Sequence, residues 1–171
     1  PHYFSLRTMF EQTSLAAAVD VLASAHRAIP VNIMMTTPAG PANVEGYIDD
    51  VKLLTDESLL VHTNHCLCPD RTSINDEYPE LIQSVPRLQR MTKLLSDLVP
   101  DCKLTIQQLQ SMLSDHENYP QSICRHQNAD AQHGFWSTVF SIVMDPTARE
   151  MYVSRGNPCE KSFECYDFLD C

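Results

Sequence analysis

Apolar residues recur at helical spacing through Leu15-Ala16-Ala17-Ala18-Val19-Asp20-Val21-Leu22-Ala23, which Thr13 or Ser14 can cap. A helix is therefore predicted over 15–23, ending before Pro30. Val31-Asn32-Ile33-Met34-Met35-Thr36-Thr37, apolar and partly β-branched between two prolines, predicts a strand. Pro38-Ala39-Gly40-Pro41 has turn chemistry, and 42–48 returns as the second strand of a hairpin. A further strand is predicted over 58–62, running into Thr63-Asn64-His65 and so placing polar side chains at a strand end. A polar loop follows between Cys68 and Pro79. Helices are predicted over 85–98 and 105–114, the second capped by Thr105. The segment 115–133 reads as a loop. The strongest hairpin signal closes the chain, with 136–144, the turn Asp145-Pro146 and then 150–154.

Strand hairpins with short connections, combined with helix pairs, predict an α+β fold with antiparallel pairing. No internal repeat, low-complexity tract or linker interrupts the 171 residues, a length that suits one domain. The runs 31–37 and 136–144 are apolar enough to be central strands buried on both faces. The chain supplies too few strands to flank them, so another polypeptide segment is expected to complete the sheet.

Charge narrows the function classes. The formal net charge is −10, from 22 acidic and 12 basic side chains, and the densest basic stretch, 87–93, reads as one helix face. That excludes a phosphate-binding surface, which needs clustered Lys and Arg, so no nucleic-acid partner is expected. No run approaches the roughly 20 apolar residues of a membrane span, so no membrane partner is expected. The seven cysteines, at 66, 68, 102, 124, 159, 165 and 171, repeat no recognised metal or knottin spacing. Most are read as reduced and buried, as in a cytoplasmic protein. The opening Pro1-His2-Tyr3 reads as the interior of a longer protein.

Candidate chemistry concentrates in Leu60-Val61-His62-Thr63-Asn64-His65-Cys66, where two histidines, an amide and a thiol follow an apolar run. As a zinc site, His62, His65, Cys66 and Cys68 offer N and S ligands, although alternate strand side chains point to opposite faces. As a Cys/His dyad, Cys66 would need a bend to meet His65. As an oxyanion donor, Asn64 supplies a neutral N–H held at a strand end. As a purely structural feature, Asn64 and a histidine would satisfy nearby backbone. Arg125 is open to two readings as well: a surface pair with Asp115 or Glu117, or an inward turn allowed by Pro120 and the small Ser122.

The segment His62-Thr63-Asn64-His65-Cys66-Leu67 resembles the HTNH segment of the isopenicillin N acyltransferase family. That family is a cysteine branch of the N-terminal-nucleophile (Ntn) hydrolases which also includes animal β-alanyl-dopamine and carcinine hydrolases. Asp115-His116-Glu117-Asn118-Tyr119-Pro120-Gln121-Ser122-Ile123-Cys124-Arg125 is similar to the family's D-x-x-N-x-P-x-S-I-C-R stretch. Ser5-Leu6-Arg7 with the following 11–14 resembles its L-R-x-x-L-E region, Val44-Glu45 its strand glutamate, and 84–94 its R-x-x-R-x-x-x-L-L helix. The terminal hairpin, ending Gly156-Asn157-Pro158-Cys159, looks like the animal members. These segments keep the family's order along nearly the whole chain.

The resemblance implies an αββα sandwich, of which 1–171 is the C-terminal portion of a single domain in the β subunit. The sandwich is then incomplete here, because the N-terminal strands and the nucleophile lie on another segment of the same precursor. That precursor cleaves itself before a cysteine, which becomes the nucleophile with its own α-amino group as base. None of Cys66, Cys68, Cys102 or Cys124 matches the position of that cysteine. The resemblance makes Asn64 the oxyanion-hole donor and Arg125 an active-site arginine. His62, Thr63, His65, Asp115 and Ser122 become supporting residues. The activity implied is amide hydrolysis of small-molecule N-acyl amines, such as β-alanyl conjugates of dopamine or histamine. Acyl transfer from a coenzyme A thioester to an amine is the alternative, and a catalytically inactive binding module of the same fold is the alternative from another class. No cofactor and no metal is expected.

Overall fold

The computed structural model describes residues 2–56, 58–78, 83–98 and 104–167, and the chain divides into two compact units, Pro1–Leu81 and Ile82–Cys171. Both are mixed α and β with antiparallel sheets, the α+β class expected from the pattern. Among the described residues no helix is long and apolar enough to cross a membrane.

The first unit opens with helix α1 (His2–Phe10) and helix α2 (Leu15–Ser24). Ser14 caps α2, its side chain accepting from the Ala17 N–H at 3.2 Å. At the other end Arg27 is buried and its guanidinium donates to the carbonyls of Leu22 and Ala25, adding to the Ala25 N–H that closes the helix on the Leu22 carbonyl. The same guanidinium donates to the carbonyls of Tyr47 and Asp50, tying the helix end to the turn that follows β2. Strands β1 (Val31–Thr37), β2 (Gly40–Gly46) and β3 (Val51–Thr55) form an antiparallel sheet in the order β1-β2-β3. Pro38-Ala39 forms the tight turn between Thr37 and Gly40, and Gly40 at φ 114° takes a conformation that a side chain would disfavour. The core lies between the helices and one sheet face, where Met9, Ala18, Leu22, Ile33 and Val44 are buried together. Gly46 keeps the contact close, because a Cβ there would meet Val31 Cγ2 at 3.0 Å and Leu22 Cδ2 at 3.1 Å.

The second unit contains helix α3 (Ser84–Ser96), helix α4 (Ile106–Leu113) and the sheet β4 (Phe140–Asp145), β5 (Glu150–Arg155), β6 (Phe163–Asp167), in the order β4-β5-β6. Thr105 and Gln108 form a reciprocal capping box at the start of α4. Gly156, at φ 113°, turns the chain after β5.

Three expectations are corrected. Residues 58–62 are not a strand: Asp56 accepts hydrogen bonds from the Ser58 and Leu59 N–H groups at 2.8 and 3.0 Å, and this turn ends β3 and leads the chain away from the sheet. The third strand is instead Val51–Thr55, and α1 and β6 are further elements the pattern did not mark. Third, the strand predicted over 136–144 begins only at Phe140 and runs to Asp145, and among the described residues β1 and β4 each pair with a single neighbour. Accordingly β4 alternates, burying Ser141 and Val143 while Phe140 and Met144 remain 60% and 61% exposed. The central strands of the two sheets are β2, buried from Ala42 to Gly46, and β5, half-buried except at the buried Ser154 and exposed Arg155.

Candidate active site

Strand β2 is buried from Ala42 to Gly46, and its alternation sends Val44 into the helix-covered core and Glu45 to the opposite face. A carboxylate there requires partners, and it has five. The N–H groups of Leu67 and Cys68 donate to Glu45 at 2.7 and 3.2 Å, His62 Nε2 lies at 2.9 Å and Cys66 Sγ at 3.2 Å, and the Tyr47 hydroxyl donates to Oε2. The side chains of His62 and Glu45 are 3% and 5% exposed. Burial alone would raise the Glu45 pKa; the hydrogen bonds from Tyr47, Leu67, His62 and Cys66 outweigh it and hold the pKa at about 2. Glu45 is thus an ionised anchor that folds 62–68 back over the sheet. Asn75 clamps the same loop from the other side, accepting from the Cys66 N–H at 2.8 Å and donating to its carbonyl at 3.0 Å.

On that anchored loop Asn64 is exposed and lines a cavity of about 300 Å³, together with Glu45, Tyr47, His62, His65 and Cys66. His62 Nδ1 lies against the Thr63 carbonyl, and Thr63 Oγ1 meets His65 Nδ1 at 3.2 Å. Asn64 therefore sits between residues bonded to one another, on a loop whose ends are fixed. The two thiols beside it are poorly suited to attack. Burial pushes the Cys66 thiol pKa up, and the Asp70 carboxylate, 2.8 Å from Cys68 Sγ, does the same there. Nor do His62, His65, Cys66 and Cys68 form a metal-holding group: among the described residues such a group occurs elsewhere, in the second unit.

The loop 115–138 of the second unit carries Arg125. Asp115 accepts the Cys124 N–H through its carbonyl at 2.9 Å, and the buried Ser122 hydroxyl donates to the Cys124 carbonyl. Arg125 is then bracketed by Thr138, whose Oγ1 accepts from the Arg125 N–H and whose N–H donates to the Arg125 carbonyl, both at 2.9 Å. Asn157 donates to the same carbonyl at 2.6 Å. The side chain donates from Nη2 to Gln83 Oε1 and lies 5.0 Å from the centre of the Trp136 ring, while its buried Nε has no partner among the described residues. Burial lowers its pKa, and that of Arg87 is lowered by burial and by the charge of Arg125. The surface-pair reading fails, because Asp115 and Glu117 are taken by Arg90, at 2.6 and 2.7 Å.

The sequence points to Asn64 and Arg125, with His62, Thr63, His65, Asp115 and Ser122 as supporting residues, but not to most of the groups that contact them. Tyr47, Asn75, Gln83, Arg90, Trp136 and Asn157 were given no part in the site, and Glu45 entered only by resemblance. One signal was available for Glu45: a carboxylate inside an apolar strand must be paired once that strand is buried.

A model of the family described as acyl-coenzyme A:6-aminopenicillanic acid acyl-transferase matches residues 1–160. The acyl-coenzyme A:6-aminopenicillanic-acid-acyltransferase 40 kDa form of Emericella nidulans is 32% identical over 161 residues, covering 92% of this chain and 43% of the relative. The chain thus spans less than half the length of the curated relative it matches. With HTNH folded over Glu45 and the SICR stretch ending in Arg125, the match over 1–160 establishes that this chain belongs to the acyl-coenzyme A:6-aminopenicillanic acid acyl-transferase family, the isopenicillin N acyltransferase-like group.

Proposed function

We propose that this chain is the C-terminal part of an Ntn-type αββα sandwich that cleaves an amide bond in a small N-acyl amine through an acyl-cysteine intermediate. The nucleophile is an N-terminal cysteine on another segment of the same precursor, freed by self-cleavage. Its thiolate attacks the acyl carbonyl carbon. The carbonyl oxygen takes the developing negative charge and accepts a hydrogen bond from the Asn64 amide. The carbon–nitrogen bond breaks, and the amine leaves with a proton relayed by the cysteine's own α-amino group. Water then adds to the thioester, giving the free acid and regenerating the thiol. By the resemblance Arg125 assists the nucleophile or the substrate, while His62, Thr63 and His65 fix the Asn64 loop, and Asp115 and Ser122 shape the Arg125 loop.

The observation that carries this reading is the presentation of Asn64. A neutral donor stands exposed at a cavity on a loop tied to a buried anion, while the neighbouring thiols Cys66 and Cys68 have raised pKa values. A nucleophile from outside these residues accounts for both features. The apolar stripe Phe140, Ile142 and Met144 supports the sandwich, since a further layer would cover it. Substrates of the β-alanyl amine type are favoured by the likeness of the terminal hairpin to animal members.

Acyl transfer from a coenzyme A thioester to an amine has its own support, because the relative from Emericella nidulans is named for that reaction. The two readings share the acyl-cysteine and differ in what resolves it. In the full-length protein, Asn64→Ala is expected to lower turnover by about 10²–10³-fold with folding unchanged, roughly the loss of one oxyanion donor. Turnover near that of the parent protein would remove Asn64 from the reaction. Mass spectrometry of the trapped acyl-enzyme should place the acyl group on an N-terminal cysteine. An adduct on Cys66 would refute the external nucleophile.

A further inference from the structure

The second unit gathers four ligand-type side chains that the proposed reaction does not use. His116, Cys124, His126 and Cys159 each direct one ligand atom to a common point, all four atoms lying within 4.8 Å of one another. The Nε2 atoms of His116 and His126 are 3.0 Å apart, the sulfurs of Cys124 and Cys159 are 3.6 Å apart, and His126 Nε2 lies 3.8 and 3.3 Å from those sulfurs. A tetrahedral ion with Zn–N of about 2.0–2.1 Å and Zn–S of about 2.3 Å requires edges of about 3.3 Å between nitrogens and about 3.8 Å between sulfurs. The nitrogen–nitrogen and sulfur–sulfur edges match these within about 0.3 Å, and no ligand atom of the group is more than 4.8 Å from another, although nothing in the local sequence spacing asks for it.

We propose that His116, Cys124, His126 and Cys159 form a closed, structural Cys₂His₂ site for zinc. Two sulfurs and two imidazoles select a borderline-soft divalent ion over the hard cations that prefer oxygen. Four protein ligands leave no open position, so the ion is structural and not catalytic. On binding, the two thiols release their protons to solvent and the imidazoles bind through Nε2 as neutral rings. Outer-shell partners are in place: Asn157 Nδ2 donates towards Cys124 Sγ at 3.6 Å, and Glu160 Oε1 lies 3.7 Å from His126 Nδ1. The consequence reaches Arg125, which stands between the ligands Cys124 and His126. An ion there would lock the 116–126 loop onto the Asn157–Cys159 turn and fix the Arg125 backbone. The assignment does not depend on which reaction the protein catalyses.

The test uses the full-length protein, freed of metal under reducing conditions and titrated with Co²⁺ and then Zn²⁺. One equivalent of Co²⁺ should give the thiolate charge-transfer and tetrahedral d–d absorption of a Cys₂His₂ site, bleached by one equivalent of Zn²⁺. Cys159→Ser and His116→Ala, both at exposed positions and so compatible with folding, should each weaken Zn²⁺ binding by more than the ~10–100-fold that loss of an outer-shell partner costs. Cys165→Ser, an exposed cysteine outside the group, should leave binding unchanged. The proposal is overturned if the Co²⁺ spectrum lacks thiolate character, or if both ligand variants bind Zn²⁺ as tightly as the parent. It is equally overturned if the protein as isolated contains no metal and is two hydrogens lighter through a Cys124–Cys159 disulfide.

Discussion

In the first unit a buried anion, Glu45, is ringed by donors from Tyr47, His62, Cys66, Leu67 and Cys68. In the second, the cation Arg125 meets one amide oxygen and the face of an indole, keeps a buried Nε without a partner, and faces no carboxylate among the described residues. A saturated charge is committed to holding structure, because every lone pair already has a donor. An unsaturated buried charge retains capacity for a ligand, at a desolvation cost the fold must carry. The comparison separates a positioning group from a group with unused donors: Glu45 arranges the loop that carries Asn64, while under the proposed reading Arg125 is itself a group that meets the reaction.

The largest expected effect comes from breaking the saturated side. Glu45→Ala leaves the Leu67 and Cys68 N–H groups unpaired and takes a hydrogen-bond partner from His62, Tyr47 and Cys66, so unfolding stability should fall by about 3–5 kcal/mol. Chemical denaturation of parent and variant measures this. A loss below 1 kcal/mol would show that the loop is not held by the carboxylate.

A pH titration of stability sharpens the same side. The Glu45 pKa is lowered from 4.5 to about 2 in the folded protein, so the unfolded chain binds the proton first as the pH falls. The stabilisation is complete above about pH 4.5 and is lost through the window down to about pH 2, by about 3 kcal/mol. Glu45→Ala should remove that part of the acid slope, and an unchanged slope would assign it to other carboxylates.

The smallest effect is expected on the unsaturated side. Arg125→Lys keeps the charge but not the planar fork that meets Gln83 and the Trp136 ring together. It should reduce kcat/KM by about 10–100-fold, the size expected for the loss of one charged hydrogen bond of about 1.5–3 kcal/mol. Full activity in the Lys variant would mean that charge alone matters; full activity in Arg125→Ala would mean that Arg125 takes no part.

Much of the local architecture was legible. The Ser14 cap before an Ala-rich apolar stripe, the Thr105 cap, the turn before Gly40 and the hairpin about Asp145-Pro146 are signals within a few residues of one another, and each element formed, the hairpin with a first strand that starts at Phe140 instead of Trp136. The run 58–62 was misread because Leu59-Leu60-Val61 looks like a strand, and only the Asp56 turn and the pull of Glu45 on His62 divert it. Helix α1 was missed because it depends on burying Met9, 1% exposed, while Tyr3, Phe4 and Phe10 face out and blur its periodicity.

Asn64 and Arg125 could be singled out because the HTNH and SICR stretches are contiguous in the chain. The cysteines show the limit of that approach. Cys66, Cys68, Cys124, Cys159 and Cys165 are free thiols, as expected, but of these only Cys68 and Cys124 are buried; Cys102 and Cys171 lie outside the described residues. The HTNHC histidines and thiols drew the metal question because they are adjacent in sequence, yet Glu45 and Asp70 claim His62, Cys66 and Cys68. Sequence by itself determined capping, turns, hairpins and the family, all of which depend on neighbouring residues. Tertiary structure decided the rest: that β2 is the buried strand and Glu45 its anchor, that Arg90 takes the acids near Arg125, and that Cys124 meets Cys159 from 35 positions away. Those outcomes depend on which charges are desolvated and which side chains meet across loops, and no local pattern encodes either.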